Sequence, residues 1–210
     1  MTDAQPYHHA NLRKTLLDAA VTLIGEVGPR AFTLREVARR AGVSHNAPYR
    51  HFASKDELLV GVAAEGFDRM TAVMEKAMKP GASPMERLQL CGYGYVDFAL
   101  RWPQHLQVMF DLPAPVRNDC EAVGENAFQV LLGCIQAAQA SGDLAAGDPL
   151  PLAWTAWSLV HGIAKLAISG NLPLGRKATL EFTRRATQEL FDGMRVSRSQ
   201  RAPSMGSGGS

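Results

Sequence analysis

The pattern of hydrophobic and polar positions predicts a chain built almost entirely of helices. Between about Asn11 and Gly25, apolar residues recur three and four positions apart, which places them on one face of an amphipathic helix. Similar segments follow along the chain, separated by glycine and proline, and strand-like alternation is almost absent. These interruptions divide the chain into about nine helices, so the predicted fold class is all-α.

Several of the predicted helices begin at residues suited to capping their first amides. Residues Thr33–Glu36 have the pattern of a capping box, in which a hydroxyl accepts from the third amide and the glutamate accepts from the cap amide. Ser54–Glu57 repeats this pattern, and Ser83–Glu86 adds a proline at the first helical position. We therefore expect helices to begin at these three places.

Two short predicted helices are separated by a tight turn. The first covers Thr33–Arg40 and the second covers Ser44–Phe52, with Ser44 as its N-cap. Between them lies Gly42, the residue type that most easily adopts a left-handed backbone. Pro48 removes only the first possible hydrogen bond of the second helix, so we expect that helix to survive with a tightened first turn. Two helices spaced in this way form a helix-turn-helix pattern.

The second of these helices carries mostly polar side chains. A helix with so many hydrogen-bond donors in its side chains faces water or a polar partner. Residues 1–56 hold eight Lys and Arg against five Asp and Glu, a net charge of +3, whereas the rest of the chain has a net charge of −1. This end is the candidate for binding a polyanion. The alternative is a solvated surface on a helical bundle.

Three runs within residues 11–60 resemble the DNA-binding domain of the tetracycline-repressor (TetR) family. They are TLREVARRAGVS at residues 33–44, YRHF at residues 49–52 and SKDELL at residues 54–59. The resemblance implies that the second helix, starting near Ser44, enters the major groove of DNA. Two positions depart from the family: Pro48 stands where leucine is usual, and Asn46 stands where many members have glycine. The amide of Asn46 could read an adenine edge.

The resemblance also assigns residues to DNA contacts. Those implied to contact phosphates are Thr33, Ser44, Tyr49 and Lys55, and those implied to read bases are His45, Asn46 and Arg50. The whole predicted DNA-binding set is Thr33, Arg35, Ser44, His45, Asn46, Pro48, Tyr49, Arg50, His51 and Lys55.

Family members join this domain to a larger helical domain that dimerises and holds a small molecule. The predicted boundaries are 1–55 for the helix-turn-helix domain and 56–195 for the ligand-binding and dimerisation domain. Residues 196–210 are rich in serine and glycine without periodicity, so we expect a disordered tail.

A ligand pocket is predicted from aromatic and methionine residues in the C-terminal two-thirds. Residues 157–162 are similar to the Trp-His-Gly signature of one TetR subgroup. Trp157 and His161 share one helix face, and either a pocket or an ordinary core accounts for them. The predicted pocket set is Tyr95, Phe98, Trp102, Met109, Phe110, Phe128, Trp157 and His161.

The last two predicted helices have apolar faces that could pack within the chain or against a second copy. By resemblance they form a four-helix interface between two chains, which makes the operator a near palindrome. The residues of these faces are Leu152, Ala156, Leu159, Ile163 and Leu166 on one helix and Leu180, Thr183, Leu190 and Met194 on the other.

The predicted function is therefore a homodimeric repressor that binds double-stranded DNA and is released by a small, largely apolar effector. No cofactor, metal or membrane partner is expected. The chain has no secretory pattern at its start and no apolar run near twenty residues, which favours a cytoplasmic protein. No hydrolase, nucleotide-binding or zinc-protease motif occurs, so an enzyme is a remote alternative. Another alternative is a redox sensor that uses Cys91, Cys120 or Cys134.

Overall fold

The computed structural model describes residues 7–111 and 114–194, with side chains for residues 12–111 and 124–193. These residues form eight α-helices and one short 3₁₀ helix, and they contain no strand. The all-α prediction is confirmed. The elements are α1 (Tyr7–Val27), α2 (Leu34–Arg40), the 3₁₀ helix (Pro48–Arg50), α3 (Lys55–Ala77), α4 (Pro84–Arg101), α5 (Pro103–Asp111), α6 (Ala114–Ala140), α7 (Pro149–Ile168) and α8 (Arg176–Met194).

The predicted capping boxes form at two of the three helix starts. At α2 the hydroxyl of Thr33 accepts from the amide of Glu36 at 3.3 Å, and the Glu36 carboxylate accepts from the amide of Thr33 at 2.7 Å. The segment Ser83–Glu86 makes the same two bonds at α4. At α3, Ser54 caps the amide of Glu57, but the Glu57 carboxylate accepts from Ala53, one residue further back.

The segment after the turn differs from the prediction. Gly42 has a positive φ of 69°, as expected, but the segment Ser44–Phe52 that follows it is not an α-helix. The amide of Ala47 bonds to the carbonyl of Ser44 and that of Arg50 to Ala47, each three residues back, as in a 3₁₀ helix. Pro48 has no N–H to donate to the Ser44 carbonyl, so the four-residue ladder of an α-helix is not started there.

Two sequence predictions are corrected by this geometry. The N-cap of the 3₁₀ helix is Ala47, which makes no side-chain cap bond, so Ser44 is not a helix cap. The part of the chain that the structure describes holds eight α-helices rather than about nine, and the α-helix expected at Ser44–Phe52 accounts for the difference.

Helix α3 runs through the centre of the molecule. It packs against α1 near its start and against α4, α5 and α6 further along. The backbones of α3 and α4 approach closely at Gly94, where a Cβ atom would lie 2.8 Å from the Cα atom of Met74. Glycine at this position therefore sets the distance between the two helices.

Helix α5 contacts both ends of the molecule. The side chain of Gln104 packs on α1, where a Cβ atom at Gly25 would lie 3.1 Å from its amide nitrogen. Further along α5, His105 and Met109 pack on Gly66 of α3. The proposed division at residue 55 coincides with the start of α3 but stays a prediction, and the predicted tail lies outside the described residues.

None of the helices in the described ranges is long and apolar enough to cross a membrane.

Candidate DNA-binding surface and ligand cavity

The turn, α2 and the 3₁₀ helix present a polar surface at one end of the molecule. Most of the predicted DNA-contact residues are exposed there, and Tyr49 is 52% exposed although it is a large aromatic residue. The exposed members are Thr33, Arg35, Ser44, His45, Asn46, Tyr49 and Arg50.

The other predicted DNA contacts are placed differently. Pro48 is buried, so its ring packs into the interior and is not available to DNA in this conformation. His51 is half-buried, with its Nε2 atom inside the protein. The ammonium of Lys55 donates to the carbonyls of Arg30 at 2.9 Å and Phe32 at 3.2 Å, and therefore ties α3 to the segment before α2.

Two carboxylates organise α2. Glu36 accepts from the hydroxyl of Thr33 at 2.9 Å, so the hydroxyl predicted to contact phosphate is engaged within the chain. Hydrogen bonds from Thr33 lower the pKa of Glu36. Glu26 of α1 accepts from both terminal guanidinium nitrogens of Arg40, which lowers the pKa of Glu26 and fastens α2 onto α1.

A cavity of about 570 Å³ lies among α3, α4, α5, α6 and α7. Its wall is almost entirely apolar and aromatic. The predicted pocket residues that line it are Tyr95, Met109, Phe110, Phe128 and Trp157. The ring of Trp157 packs against Phe110 at 5.9 Å and Phe128 at 6.2 Å between centroids, so these aromatic residues form one wall.

A small hydrogen-bonded group joins two lining residues, Tyr95 and Trp157, to His161, which is not among the lining residues. The hydroxyl of Tyr95 lies 2.7 Å from Nδ1 of His161, and the indole nitrogen of Trp157 lies 3.5 Å from the same hydroxyl. Burial raises the pKa of Tyr95 well above its ordinary value. Burial and the nearby Lys165 lower the pKa of His161. The predicted pairing of Trp157 with His161 is present, with ring centroids 5.9 Å apart.

Three predicted pocket residues do not line the cavity: Phe98, Trp102 and His161, of which His161 is joined to the lining residue Tyr95 by a hydrogen bond. Phe98 is fully buried and packs against Trp102 at 5.6 Å between ring centroids. Trp102 is the C-cap of α4, so its backbone leaves the helix, and its ring lies beside the guanidinium groups of Arg69 and Arg101. Neither Phe98 nor Trp102 is therefore among the residues that line this cavity.

Sequence reasoning missed one whole side of the cavity. Phe67, Met70 and Met74 of α3 line it, as does Trp154 of α7. The spacing of the α3 residues shows that they share a helix face, but this pattern is the same for a core and for a cavity. Only the position of these residues opposite α4 and α6 shows that they line a cavity and do not fill a core.

Two of the three cysteines, Cys91 and Cys134, lie together. Cys91 lines the cavity and is buried, and its thiol contacts Cys134. This contact and burial raise the pKa of Cys91. The sulfur of Cys134 lies 3.4 Å from that of Met78. The side chain of Cys120 is outside those described.

The faces predicted for dimerisation are mostly internal. Ala156, Ile163, Leu180 and Thr183 are buried within the chain, so they belong to its own core. Leu152, Leu159 and Leu190 are half-buried, Leu166 is 49% exposed, and the side chain of Met194 is not described. Two residues that the prediction omitted add further exposed apolar area on α7 and α8, Trp154 at 55% and Phe182 at 40% exposed.

Two family models match separate parts of the chain. A family model described as bacterial regulatory proteins of the tetR family matches residues 16–62, and a second, described as the tetracyclin repressor-like C-terminal domain, matches residues 88–190. The chain belongs to the TetR family of transcriptional regulators, which are not enzymes.

Individual relatives are similar mainly at the N-terminal end. The regulator BetI of Rhizobium meliloti is 40% identical over 36% of this chain and 37% of its own length. The repressor KstR of Rhodococcus jostii is 41% identical over 37% of this chain and 36% of its own length. The chain thus matches little more than a third of these curated relatives.

One solved structure is similar over nearly the whole chain. It is a protein of unknown function from Rhodococcus sp. RHA1, 32% identical, with a TM-score of 0.79 over 92% of this chain and 100% of that protein. This likeness extends the shared fold to the cavity-forming helices.

Proposed function

We propose that the protein is a homodimeric repressor that leaves a near-palindromic operator when a small, largely apolar molecule binds in the cavity. The observation that carries this proposal is the position of α5. Its residues Met109 and Phe110 line the cavity, and its Gln104 packs on Gly25 of α1, which supports the DNA-binding surface. A molecule in the cavity and the position of α1 are therefore linked through one short helix.

The ligand must bind the DNA-incompetent arrangement more tightly than the DNA-bound one. Moving the protein from 99% bound to 99% released requires about 5.5 kcal/mol of differential affinity. Burying an apolar molecule releases about 25 cal/mol for each Å² removed from water, and only the area buried in the DNA-incompetent arrangement but not in the DNA-bound one contributes to release.

The proposed DNA contacts use the exposed residues around the 3₁₀ helix. Asn46 and Arg50 are placed to read bases, and Tyr49 to contact a phosphate. Asn46 and Arg50 carry the amide and guanidinium groups that recognise adenine and guanine edges in the major groove. The dimer is supported by the exposed Trp154, Leu166 and Phe182, which are large apolar residues on the two helices that the family resemblance assigns to dimerisation. With DNA as its partner, the proposed location is the cytoplasm.

The experiment begins with DNA selected from a random library by the purified protein. Apolar compounds are then screened for thermal stabilisation, and each hit is added to the protein–DNA complex while fluorescence anisotropy is followed. We expect hits to release DNA and a Trp154→Glu/Phe182→Glu variant to be monomeric by light scattering. Hits that bind the cavity and leave DNA affinity unchanged would overturn the proposal.

A redox sensor is a second candidate, favoured by the contact between Cys91 and Cys134 at the cavity wall. In this case diamide treatment lowers DNA affinity in the wild type but not in Cys91→Ser. Equal DNA affinity before and after treatment would dismiss it. The likeness to the Trp-His-Gly subgroup stays a prediction.

A further inference from the structure

The hydrogen-bonded group of Trp157, Tyr95 and His161 has one arrangement that satisfies its donors. An indole nitrogen only donates, so Trp157 donates to the oxygen of Tyr95. The hydroxyl hydrogen of Tyr95 is then free to donate to Nδ1 of His161, which leaves the imidazole hydrogen on Nε2. All three side chains are uncharged in this arrangement, in keeping with the raised pKa of Tyr95 and the lowered pKa of His161.

This arrangement leaves hydrogen-bonding capacity next to the cavity. The distance from the indole nitrogen of Trp157 to the oxygen of Tyr95 is 3.5 Å, beyond the usual 2.7–3.2 Å of a good hydrogen bond. The Trp157 N–H is therefore weakly satisfied, and the Tyr95 oxygen retains a free lone pair. Trp157 and Tyr95 both line the cavity, so one donor and one acceptor lie close together beside an apolar volume.

The charges around the cavity disfavour an anionic ligand. Among the lining side chains that the structure describes, Glu125 is the one acidic residue, and it is exposed. No lysine or arginine belongs to that part of the lining. A carboxylate or phosphate in the cavity would lose its hydration without gaining an opposite charge there.

We propose that the cavity selects an uncharged apolar molecule carrying a hydroxyl group, which accepts from the indole N–H of Trp157 and donates to the oxygen of Tyr95. A hydroxyl is the simplest neutral group that is both donor and acceptor at one atom. His161 acts as a positioning residue, because its Nδ1 takes the hydrogen of Tyr95 and turns the free lone pair of that oxygen towards the ligand. This inference rests on the proposed role of the cavity as an effector site.

The test uses three probes with one carbon skeleton: butylbenzene, 4-phenylbutan-1-ol and 4-phenylbutanoate. Their dissociation constants are measured by calorimetry on the full-length wild type and on Trp157→Phe and Tyr95→Phe. We expect each substitution to weaken binding of the alcohol about five-fold more than binding of butylbenzene, as one hydrogen bond is worth about 1 kcal/mol. Phe128→Leu is the control, since it removes lining area without a polar atom and should weaken both probes alike.

The outcomes separate this inference from the proposed function. If butylbenzene binds but the ratio of the two affinities is the same in all four proteins, the hydroxyl inference is wrong and the apolar cavity stands. Tighter binding of the carboxylate than of the alcohol also overturns the inference. If none of the three probes binds, the apolar effector site itself is wrong, and the inference fails with it.

Discussion

The DNA-binding end and the cavity end of this protein hold their candidate functional residues by different means. Around the 3₁₀ helix, exposed side chains stand on a backbone shaped by local bonds, a positive-φ glycine and one proline. Around the cavity, the lining side chains lie on five helices, four of them long, whose positions depend on packing between elements distant in sequence. A substitution at the DNA-binding end is expected to act locally. At the cavity end, the effect of a substitution is expected to depend on the change in side-chain volume.

The largest expected effect is at the contact between α3 and α4. Gly94→Ala places a methyl group 2.8 Å from a backbone atom of Met74, which cannot rotate away, so the helices must separate. We expect the free energy of unfolding to fall by about 2 kcal/mol in urea denaturation. Gly133→Ala on α6 is the control, because nothing lies within 4 Å of its Cβ position. It should leave stability unchanged or raise it by up to about 1 kcal/mol; equal losses would contradict the packing argument.

The DNA-binding end should show the opposite behaviour. Arg50→Ala removes an exposed side chain, so we expect little change in stability but a loss of about ten- to one-hundred-fold in affinity for selected DNA, measured by anisotropy. Arg184→Ala on α8 removes an exposed arginine elsewhere and serves as the control. Similar losses in both variants would show that charge alone, and not position, decides binding.

The two complete capping boxes, at α2 and at α4, allow the DNA-binding end and the cavity end to be compared directly. Thr33→Ala at α2 and Ser83→Ala at α4 remove the same hydrogen bond to the third helical amide. Each should lower the free energy of unfolding by about 1 kcal/mol in chemical denaturation. Thr33→Ala should also change DNA affinity, since α2 supports the DNA-binding surface. An unchanged affinity would show that α2 keeps its position without the cap.

The glutamates of these boxes give a pH dependence. Hydrogen bonds from the cap residues lower the pKa of Glu36 and of Glu86 below the ordinary 4.5. Their stabilising effect is therefore present above pH 4.5 and is lost as the pH falls below it through the lowered folded-state values. The difference in stability between wild type and Glu36→Gln should shrink over that range, and a constant difference would count against the bond.

The smallest effect is expected from Pro48→Leu. This change restores an amide that can donate to the carbonyl of Ser44, so an α-helix can begin there. We expect the amide of residue 48 to be protected in hydrogen exchange and the preferred DNA sequence to shift, with little loss of affinity. An unprotected amide would show that something other than proline holds the 3₁₀ geometry.

Local chemistry explains which parts of the fold were predictable. The helix starts at Leu34, Lys55 and Pro84 follow from neighbouring cap residues, because a cap acts within three or four positions of the chain. The turn at Gly42 is predictable for the same reason. The segment Ser44–Phe52 was predicted less well. The effect of Pro48 was correctly located but underestimated, since the loss of one hydrogen-bond donor prevented the α-helix from starting.

The cavity was predictable only in part. Its aromatic residues were identified as a group, yet Phe98 and Trp102 turned out to pack elsewhere and Phe67, Met70 and Met74 were missed. Cavity walls and cores use the same residue types at the same helical spacing, so periodicity does not distinguish them. The faces of α7 and α8 illustrate the same point, because Ala156 and Leu180 are buried within the chain while Trp154 and Phe182 are exposed.

The sequence by itself determined the all-helical class, most helix boundaries and the position of the helix-turn-helix motif. These features depend on interactions between residues a few positions apart. Only the tertiary structure decided which apolar faces meet, where the cavity lies, and that Tyr95 of α4 bonds to His161 of α7. Such contacts join residues far apart in the chain, and many different packings of the same amphipathic helices satisfy one hydrophobic pattern.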